Sequence, residues 1–319
     1  MTSELLIPVR RPLRAPHGRR GLRAPHTRRG LRRNLLGWMF LAPAIVLIAV
    51  FTITPFAQAI LLSFQSWDGV SPDTPWVGLA NYEFVMSDPI FWASMQNVLF
   101  FGIIGFFVGN GLALGLALAV NGITRGRTFF RTVIYLPGVL SVVVVGLLFG
   151  FILAPGSGVL NRLLEVVGLG SLAQNWLGDP TFALLSVAAV FVWYHWGFAF
   201  LLFLAGLQDV PKELYEAAEL DGANRWTKFR YVTWPALAPV TSIVSLLTLL
   251  AALQIFGTVQ VLTNGGPGYH TMVPTLAIYN EAFVNWRYGS AAAMSVIFGG
   301  TLVLLSLLQL AITGRRSRA

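Results

Sequence analysis

Six stretches of this chain each run for more than 20 residues without a single Asp, Glu, Lys or Arg: 38–63, 97–120, 132–153, 181–206, 236–262 and 290–312. An α-helix rises 1.5 Å per residue, so about 20 apolar residues cross the roughly 30 Å hydrocarbon core of a bilayer. The length and number of these stretches predict an all-α polytopic membrane protein with six transmembrane helices. Composition agrees: of 319 residues, 55% are hydrophobic and 11% charged, against about 25% charged in an average soluble domain. The first stretch is too long for a cleaved signal peptide, and the basic segment before it is interrupted by Pro.

A formal charge of +9 would suit a nucleic-acid binder, but its placement argues against such a partner. Ten of the 22 basic residues are Arg within residues 10–33, and beyond residue 33 twelve basic and twelve acidic side chains balance. The basic residues also alternate from one connection to the next. The arm, the 121–131 connection (Arg125, Arg127, Arg131), the 207–235 connection (Lys212, Arg225, Lys228, Arg230) and the tail (Arg315, Arg316, Arg318) hold 20 of them. The intervening connections hold two, Arg162 and Arg287. Basic residues stay on the cytoplasmic side, so both termini and the 207–235 connection are expected there. Residues 1–34 read as a disordered cytoplasmic arm, 35–314 as the transmembrane domain and 315–319 as a basic tail. The arm repeats nine residues, LRAPHGRRG at 13–21 and LRAPHTRRG at 22–30. It suits a topology anchor, with attraction to anionic membrane lipid worth on the order of 1 kcal/mol per basic residue near the surface.

The spans themselves offer little chemistry. A carrier driven by protons or sodium usually holds a buried ionisable group on its path, and the six spans have none of the four charged residue types. His195 is the imidazole at membrane depth, and a lone His among aromatics is more often packed than a relay. With no Cys, disulfides and Cys-based metal sites are excluded, and no metal site is expected. Small residues recur at helical spacing, Gly105 and Gly109, Gly111 and Gly115, Gly146 and Gly150, which fits close helix packing. Pro43, Pro55 and Pro137 permit bends where neighbours satisfy the freed carbonyls. The fourth span carries FVWYHWGFAF at 191–200. Trp193, Tyr194, Trp196 and Phe198 suit the C–H faces of a sugar, and Gln254 adds an uncharged donor and acceptor. Helix packing and an interfacial aromatic belt explain the same residues. Because these aromatics lie on different helix faces, two or three at most can line one path.

The most polar internal segment is PKELYEAAELDGANRWTKFRYVTWP at 211–235, with four acidic and four basic side chains. Pro211 suits a first helical turn. Leu214, Ala217, Ala218 and Asp221 share one stripe, and Lys212, Glu216 and Glu219 another. The Ala pair keeps one face thin enough for a partner backbone. Gly222 suits a left-handed C-cap, and a second short helix, 224–233, runs to Pro235. Taken alone, the segment also fits a short interfacial amphipathic helix.

The string Glu216-Ala217-Ala218, three residues, then Gly222 resembles the EAA loop of binding-protein-dependent ABC importer permeases. Leu207-Gln208, Pro211, Leu214-Tyr215, Asp221-Gly222-Ala223, Phe229 and Pro235-Ala236-Leu237 before Pro239 extend the match. The sugar-permease branch, of the maltose-transporter type, is resembled at Gly78–Tyr82, Phe91-Trp92 with Asn97, Phe130-Arg131 with Leu136-Pro137, and Trp176-Leu177. The same holds at Ala205–Leu207, Leu262–Pro267 and Gly289–Ala291. The resemblance covers roughly residues 35–312.

This resemblance implies a permease subunit in a bacterial plasma (inner) membrane. Its partners would be a second related permease, a dimer of ATP-binding subunits and an extracytoplasmic solute-binding protein. Tyr215, Glu216, Ala217, Ala218, Asp221, Gly222 and Ala223 would form the coupling helix and its turn, seated on the ATPase. Asn264, Gly265, Gly266 and Pro267 would lie near the binding protein, and substrate contacts would fall on the fourth to sixth spans. Some relatives carry Asn near position 254 or 255 where this chain has Gln254 and Ile255, so individual sugar contacts do not transfer. A P-loop needs Gly-Lys-Ser/Thr. Both Lys lie in other contexts, Lys212 between Pro211 and Glu213 and Lys228 between Thr227 and Phe229. The chain is therefore expected to be no enzyme and to hold no cofactor, with ATP and Mg on the partner ATPase.

The leading expectation is an ABC importer permease for a sugar, with an oligosaccharide favoured. The competing one is a stand-alone secondary carrier or channel for small polar solutes, which should show an internal repeat of spans. A membrane-embedded enzyme is disfavoured, because the spans hold no carboxylate pair, metal-ligand cluster or activated nucleophile.

Overall fold

The computed structural model describes residues 29–123 and 125–316. Residues 1–28, which include most of the nine-residue repeat, and 317–319 of the basic tail lie outside the described residues. The chain divides into two units at Pro55 and Phe56. In the first, an α-helix over Arg29–Ile48 runs into a wide π-helical turn at Ala49–Ile53. Residues 29–34 of the expected arm are thus already helical. Pro43 sits inside regular helix. The wide turn falls just before Pro55, which has no N–H to give, and Thr54 Oγ1 donates to Ala49 O at 2.9 Å. Trp38–Leu62 counts as a candidate span, α1.

The second unit continues from Phe56. Its helices are α2 (Ala80–Ser87), α3 (Pro89–Asn121), α4 (Arg127–Val139), α5 (Val142–Ile152), α6 (Val159–Val166) and α7 (Pro180–Gln208). There follow α8 (Lys212–Leu220), α9 (Arg225–Ala236), α10 (Ala238–Leu253), α11 (Gly257–Leu262), α12 (Pro274–Tyr279) and α13 (Tyr288–Arg316). Among the described residues there is no strand, only an isolated bridge between Gln65 and Trp76. The spans α1, α3, α7 and α13 are each long and apolar enough to cross a membrane, and the pairs α4–α5 and α9–α10 bring the number to six if each bent pair is one span.

Local sequence explains where the long helices begin. Both α3 and α7 open on Asp-Pro. Asp88 Oδ1 accepts from Ile90 N at 2.9 Å and Asp179 Oδ1 from Thr181 N at 2.7 Å, while Pro89 and Pro180 fill the first turn. A carboxylate N-cap followed by Pro is a strong start signal. It begins α3 eight residues before the expected 97.

Two expected spans are broken. The third, 132–153, bends by 97° between Val139 and Val142, after a 3₁₀ turn that contains Pro137. The fifth, 236–262, stops at Leu253; Gln254–Phe256 turn the chain, and α11 is a separate short helix. Each break frees a carbonyl, and each receives a hydroxyl from a distant element. Tyr194 OH donates to Leu140 O at 3.0 Å, and Thr275 Oγ1 to Ile255 O at 2.5 Å. Away from water an unpaired carbonyl costs several kcal/mol, about as much as a helix break can bear. A further bend of 67° separates α9 from α10 at Leu237, between Pro235 and Pro239, which together remove two donors.

Packing inside this unit is close. Phe101 meets Phe191 edge-on at 5.7 Å. Further along both helices, Ala113, Ala117 and Val120 of α3 form a buried cluster with Ala199, Phe200, Phe203, Leu204 and Leu207 of α7. The rising order on both sides means that α3 and α7 run parallel. Lipid is as apolar as these side chains, so close contact rather than exclusion of water holds the helices together. Gly197 shows the tolerance: a Cβ there would lie 2.7 Å from Ile134 O and 2.9 Å from Tyr135 Cα. Of the Gly pairs, Gly105 abuts Thr248 and Phe191, Gly109 lies against Val192 and Gly146 abuts Val261, whereas Gly111, Gly115 and Gly150 face open space. Gly197→Ala is expected to cost about 1–3 kcal/mol, as overpacking does. Gly111→Ala should stay within about 0.5 kcal/mol of the parent. Unfolding of the purified variants in detergent, followed by tryptophan fluorescence, measures the difference.

Candidate functional site

Three places hold the residues that the sequence singles out. The first is the hairpin of α8 and α9. Pro211 precedes α8, which ends at Leu220 with Asp221 as its C-cap. Gly222 adopts φ +77°, its N–H bonds Glu219 O at 3.0 Å, and Ala223 N–H bonds Ala218 O at 2.8 Å. This pair of bonds is the Schellman arrangement, which needs a left-handed residue where Gly222 stands. A Cβ at Gly222 would meet nothing within 4 Å, so backbone conformation alone selects Gly. Asn224 then caps α9 by accepting from Thr227 N at 2.9 Å.

Two side-chain bonds tie the hairpin together. Lys228 Nζ donates to Glu219 Oε1 at 2.6 Å, and Tyr215 OH lies 3.0 Å from Thr233 Oγ1, a buried hydroxyl in the π-helical stretch of α9. The Lys228 hydrogen bond and charge hold the Glu219 carboxyl below the usual Glu range. The pair is therefore present above the ordinary carboxylate pKa and lost as pH falls through the depressed value. Tyr215 and Ala218 of α8 are half-buried. Glu216, Ala217 and Asp221 are exposed, and so are Leu214 and Leu220. Sequence reasoning missed the Glu219–Lys228 pair, because their nine-residue separation spans a turn.

The second place is a cavity of about 230 Å³ between α4, α7 and α10. Tyr194 and Phe198 line it, one helical turn apart, with His195 and Ala199 beside them and Val244, Leu247, Thr248 and Ala251 opposite. Its polar groups are largely engaged. Tyr194 OH holds Leu140 O, His195 Nδ1 is 2.9 Å from Phe191 O, and Thr248 Oγ1 donates to Asn110 Oδ1 at 2.8 Å. The structure leaves the other candidates outside this wall. Trp193 packs on Phe149 at 5.0 Å in a cluster around Val145 and Val190. Trp196 encloses its indole N–H without an acceptor among the described residues. Gln254 is exposed at the C-terminal cap of α10. His195 is packed between Phe191 and Tyr194, at 4.3 and 4.9 Å between ring centres.

The third place is the 263–273 loop. Asn264 and Gly265 both take positive φ, at 47° and 82°. Gly265 is buried, Asn264 is exposed, and Gly266 and Pro267 are half-buried. Thr271 Oγ1 donates to Gly266 O and meets Thr263 Oγ1, both at 2.7 Å. Asn97 Nδ2, from α3, bonds the carbonyls of His270 and Met272 at 3.0 and 2.8 Å. The loop is thus a fixed surface. After the loop and α12, Glu281 is buried and went unnoticed in the sequence. Ser290 Oγ donates to its Oε1 at 2.6 Å, Asn285 Nδ2 to its Oε2 at 2.8 Å, and Arg287 Nη1 stands 3.5 Å away. A lone acid between two apolar spans was the signal that could have found it. No group of His, Cys, Asp and Glu suited to a metal occurs among the described residues.

The chain is similar to known proteins along most of its length. Residues 111–318 match the family described as "Binding-protein-dependent transport system inner membrane component". The chain is 34% identical to the sn-glycerol-3-phosphate transport system permease protein UgpA of Agrobacterium fabrum, over 89% of this chain and 96% of that protein. It is 35% identical to the diacetylchitobiose uptake system permease protein NgcF of Streptomyces coelicolor, over 84% of this chain and 79% of that protein. The fold is also that of a chain in the "Crystal structure of bacterial alginate ABC transporter in complex with alginate pentasaccharide-bound periplasmic protein". The TM-score is 0.79, with 23% identity over 90% of this chain and 96% of that one. A helical membrane protein with these similarities along most of its length is a transport permease: the chain belongs to the family of binding-protein-dependent transport system inner membrane components, as a permease subunit of an ABC transporter.

Proposed function

We propose that this permease carries a neutral sugar, in the form of an oligosaccharide, from an extracytoplasmic binding protein across a bacterial plasma membrane, and that a separate ATPase drives it through the α8–α9 hairpin. The hairpin carries the reading. It is an internally braced lever whose outward face holds Glu216 and Ala217 exposed, while Tyr215 ties it to α9 and thence to α10. Glu216 forms charged contacts with the ATPase, Ala217 and Ala218 let its surface approach, and Asp221, Gly222 and Ala223 set the turn. Movement of the hairpin passes along α9 to the bend at Leu237 and reaches the wall of the cavity through Val244, Leu247, Thr248 and Ala251. Both termini and the hairpin lie in the cytoplasm, as the Arg distribution indicates, and each bent helix pair is one span, six in all. Residues 1–34 and 315–319 are basic segments that meet anionic lipid, flanking the permease domain.

Tyr194 and Phe198 supply an aromatic wall to the sugar in the cavity, and Asn264, Gly265, Gly266 and Pro267 receive the binding protein on the opposite side of the membrane. A second, related permease completes the pathway as a heterodimer with two ATP-binding subunits, which hold the ATP and Mg. The chain itself catalyses nothing, holds no cofactor and binds no nucleic acid. Relatives named for glycerol phosphate and for a chitin disaccharide bracket the solute class. A phosphate usually recruits Arg, and no Arg lies between residues 132 and 161 or between 163 and 224, which leaves the central cavity without one and favours the neutral sugar.

Affinity purification of the tagged chain from its native membrane should recover an ATPase and a second permease. In proteoliposomes that also hold the binding protein, Glu216→Lys should lower ATP-driven uptake at least tenfold, since loss of one partner of a desolvated charge pair costs about 2–5 kcal/mol. Recovery of no nucleotide-hydrolysing partner, or uptake driven by a proton gradient without ATP, would overturn the reading.

Gly222→Ala places a Cβ at φ +77°, a conformation that costs an L-residue about 1–2 kcal/mol. It should weaken ATPase binding by roughly 5- to 30-fold, and Gly222→Asn should weaken it less because Asn tolerates that region. Titration of the solubilised permease dimer with the ATPase by calorimetry compares the three proteins, and equal affinities would exclude a role for the turn.

A further inference from the structure

A pocket of about 370 Å³, larger than the cavity between the helices, lies where the segment after α1 meets the start of α13. Its walls include Trp67, Asp68, Asn81, Trp286, Arg287 and Ser290. Nothing so far assigns it a role. Its volume is within the range of small-molecule sites, about 300–1,000 Å³.

Bonds within the protein hold the walls. Asn81 Nδ2 donates to Ser63 O and Gln65 O, both at 2.9 Å, which leaves its Oδ1 as an acceptor. Tyr288 N–H bonds Trp67 O at 3.0 Å. Gly289 lets the two segments touch, since a Cβ there would lie 2.0 Å from Gln65 O. Trp286 adopts φ +57° and stays 56% exposed. A left-handed bulky residue costs of order 1–3 kcal/mol and clusters at ligand sites. Burial of the indole does not compensate for that cost here. Arg287 is anchored from behind by buried Glu281, and its guanidinium lies 5.4 Å from the ring centre of Phe84.

Charge and shape together select the ligand. Asp68 is held ionised, its pKa lowered to about 2 chiefly by the Ser71 hydroxyl, with the Ser71 and Val70 backbone amides adding to it. On the walls the Asp68 carboxylate offsets the Arg287 guanidinium, so a phosphate ester or a uronate meets no net positive charge. Two indoles, a carboxylate, a guanidinium and an amide oxygen suit a ring with apolar C–H faces and equatorial hydroxyls.

We propose that this pocket is an outer sugar subsite, which takes one neutral pyranose unit of the transported oligosaccharide before it reaches the cavity lined by Tyr194 and Phe198. The proposal rests on the importer reading for its orientation and solute class. Trp286 stacks on the sugar ring, and Arg287 and Asp68 bond its hydroxyls.

The test uses the intact complex in lipid nanodiscs, without binding protein, and saturation-transfer NMR with maltose, trehalose and diacetylchitobiose as probes and sn-glycerol 3-phosphate as the anionic control. At least one disaccharide should receive saturation, Trp286→Ala should reduce it at least fivefold, and Trp286→Tyr should restore at least half. The control should show no transfer that depends on Trp286. Thermal melting of each variant complex confirms that it is folded, and Trp67→Phe provides a second, milder probe that should reduce transfer at least twofold. Absence of transfer from all three disaccharides overturns the subsite, as does transfer insensitive to Trp286→Ala or lost only on Phe198→Ala. ATP-driven uptake by the parent complex is measured after the same purified complex is reconstituted with the binding protein in proteoliposomes. If it persists in those cases, the subsite alone fails; if uptake needs no ATP, the importer reading fails with it.

Discussion

The unit that holds the helical core depends on how it satisfies backbone carbonyls where its helices break. Lipid offers no hydrogen bond, so a break at membrane depth survives only where the protein supplies a donor. Here the donors are hydroxyls from other elements: Tyr194 reaches across to Leu140 O, and Thr275 to Ile255 O. Each bond fixes a bend and the relation between two elements at once. The Leu140 break turns α4 into α5 and lets Gly138 and Gly197 sit against neighbouring backbone. The Ile255 break ends α10 and releases α11 to pack along α5, where Gly146 meets Val261 and Gly257 meets Val142.

The same bonds connect chemistry with mechanics. Tyr194 is both the donor that stabilises a helix break and a wall of the central cavity, so the cavity is tied to the geometry of the α4–α5 bend. On the other wall, Thr248 and Ala251 belong to α10, which the Leu237 bend joins to α9 and the hairpin. Glu219–Lys228, Tyr215–Thr233 and the Schellman turn brace that hairpin. The cavity sits between two bent helix pairs, and bends are where a helix changes direction at least cost.

The 263–273 loop and the aromatic pocket at the start of α13 are equally fixed. Asn97 holds two carbonyls of the loop, and Glu281 gathers Ser290, Asn285 and Arg287. These polar clusters stand in the connections, where solvent lowers the cost of their charges, whereas the six uncharged stretches of the sequence hold none.

Sequence alone determined the all-α membrane class, the approximate location of the four unbroken spans and the Gly222 turn. Each rests on local physics: the length of an apolar run, the missing donor of Pro, the φ that only Gly adopts freely. Asp88-Pro89 was also legible as a helix start, yet the apolar run was the stronger signal, and the start of α3 was placed too late. The resemblance at Glu216–Gly222 made the hairpin recognisable before its geometry was known. Which aromatics share a wall was not legible, because Trp193, Tyr194, Trp196 and Phe198 follow one another on a helix whose every side is apolar. Only tertiary packing put Tyr194 and Phe198 on the cavity, turned Trp193 toward Phe149 and left Gln254 outside. The breaks at Leu140 and Ile255, the Glu219–Lys228 brace and the Glu281 cluster were likewise decided by structure. Each is a bond between residues that no sequence periodicity brings together, and a carbonyl can be released in lipid only when folding delivers its donor.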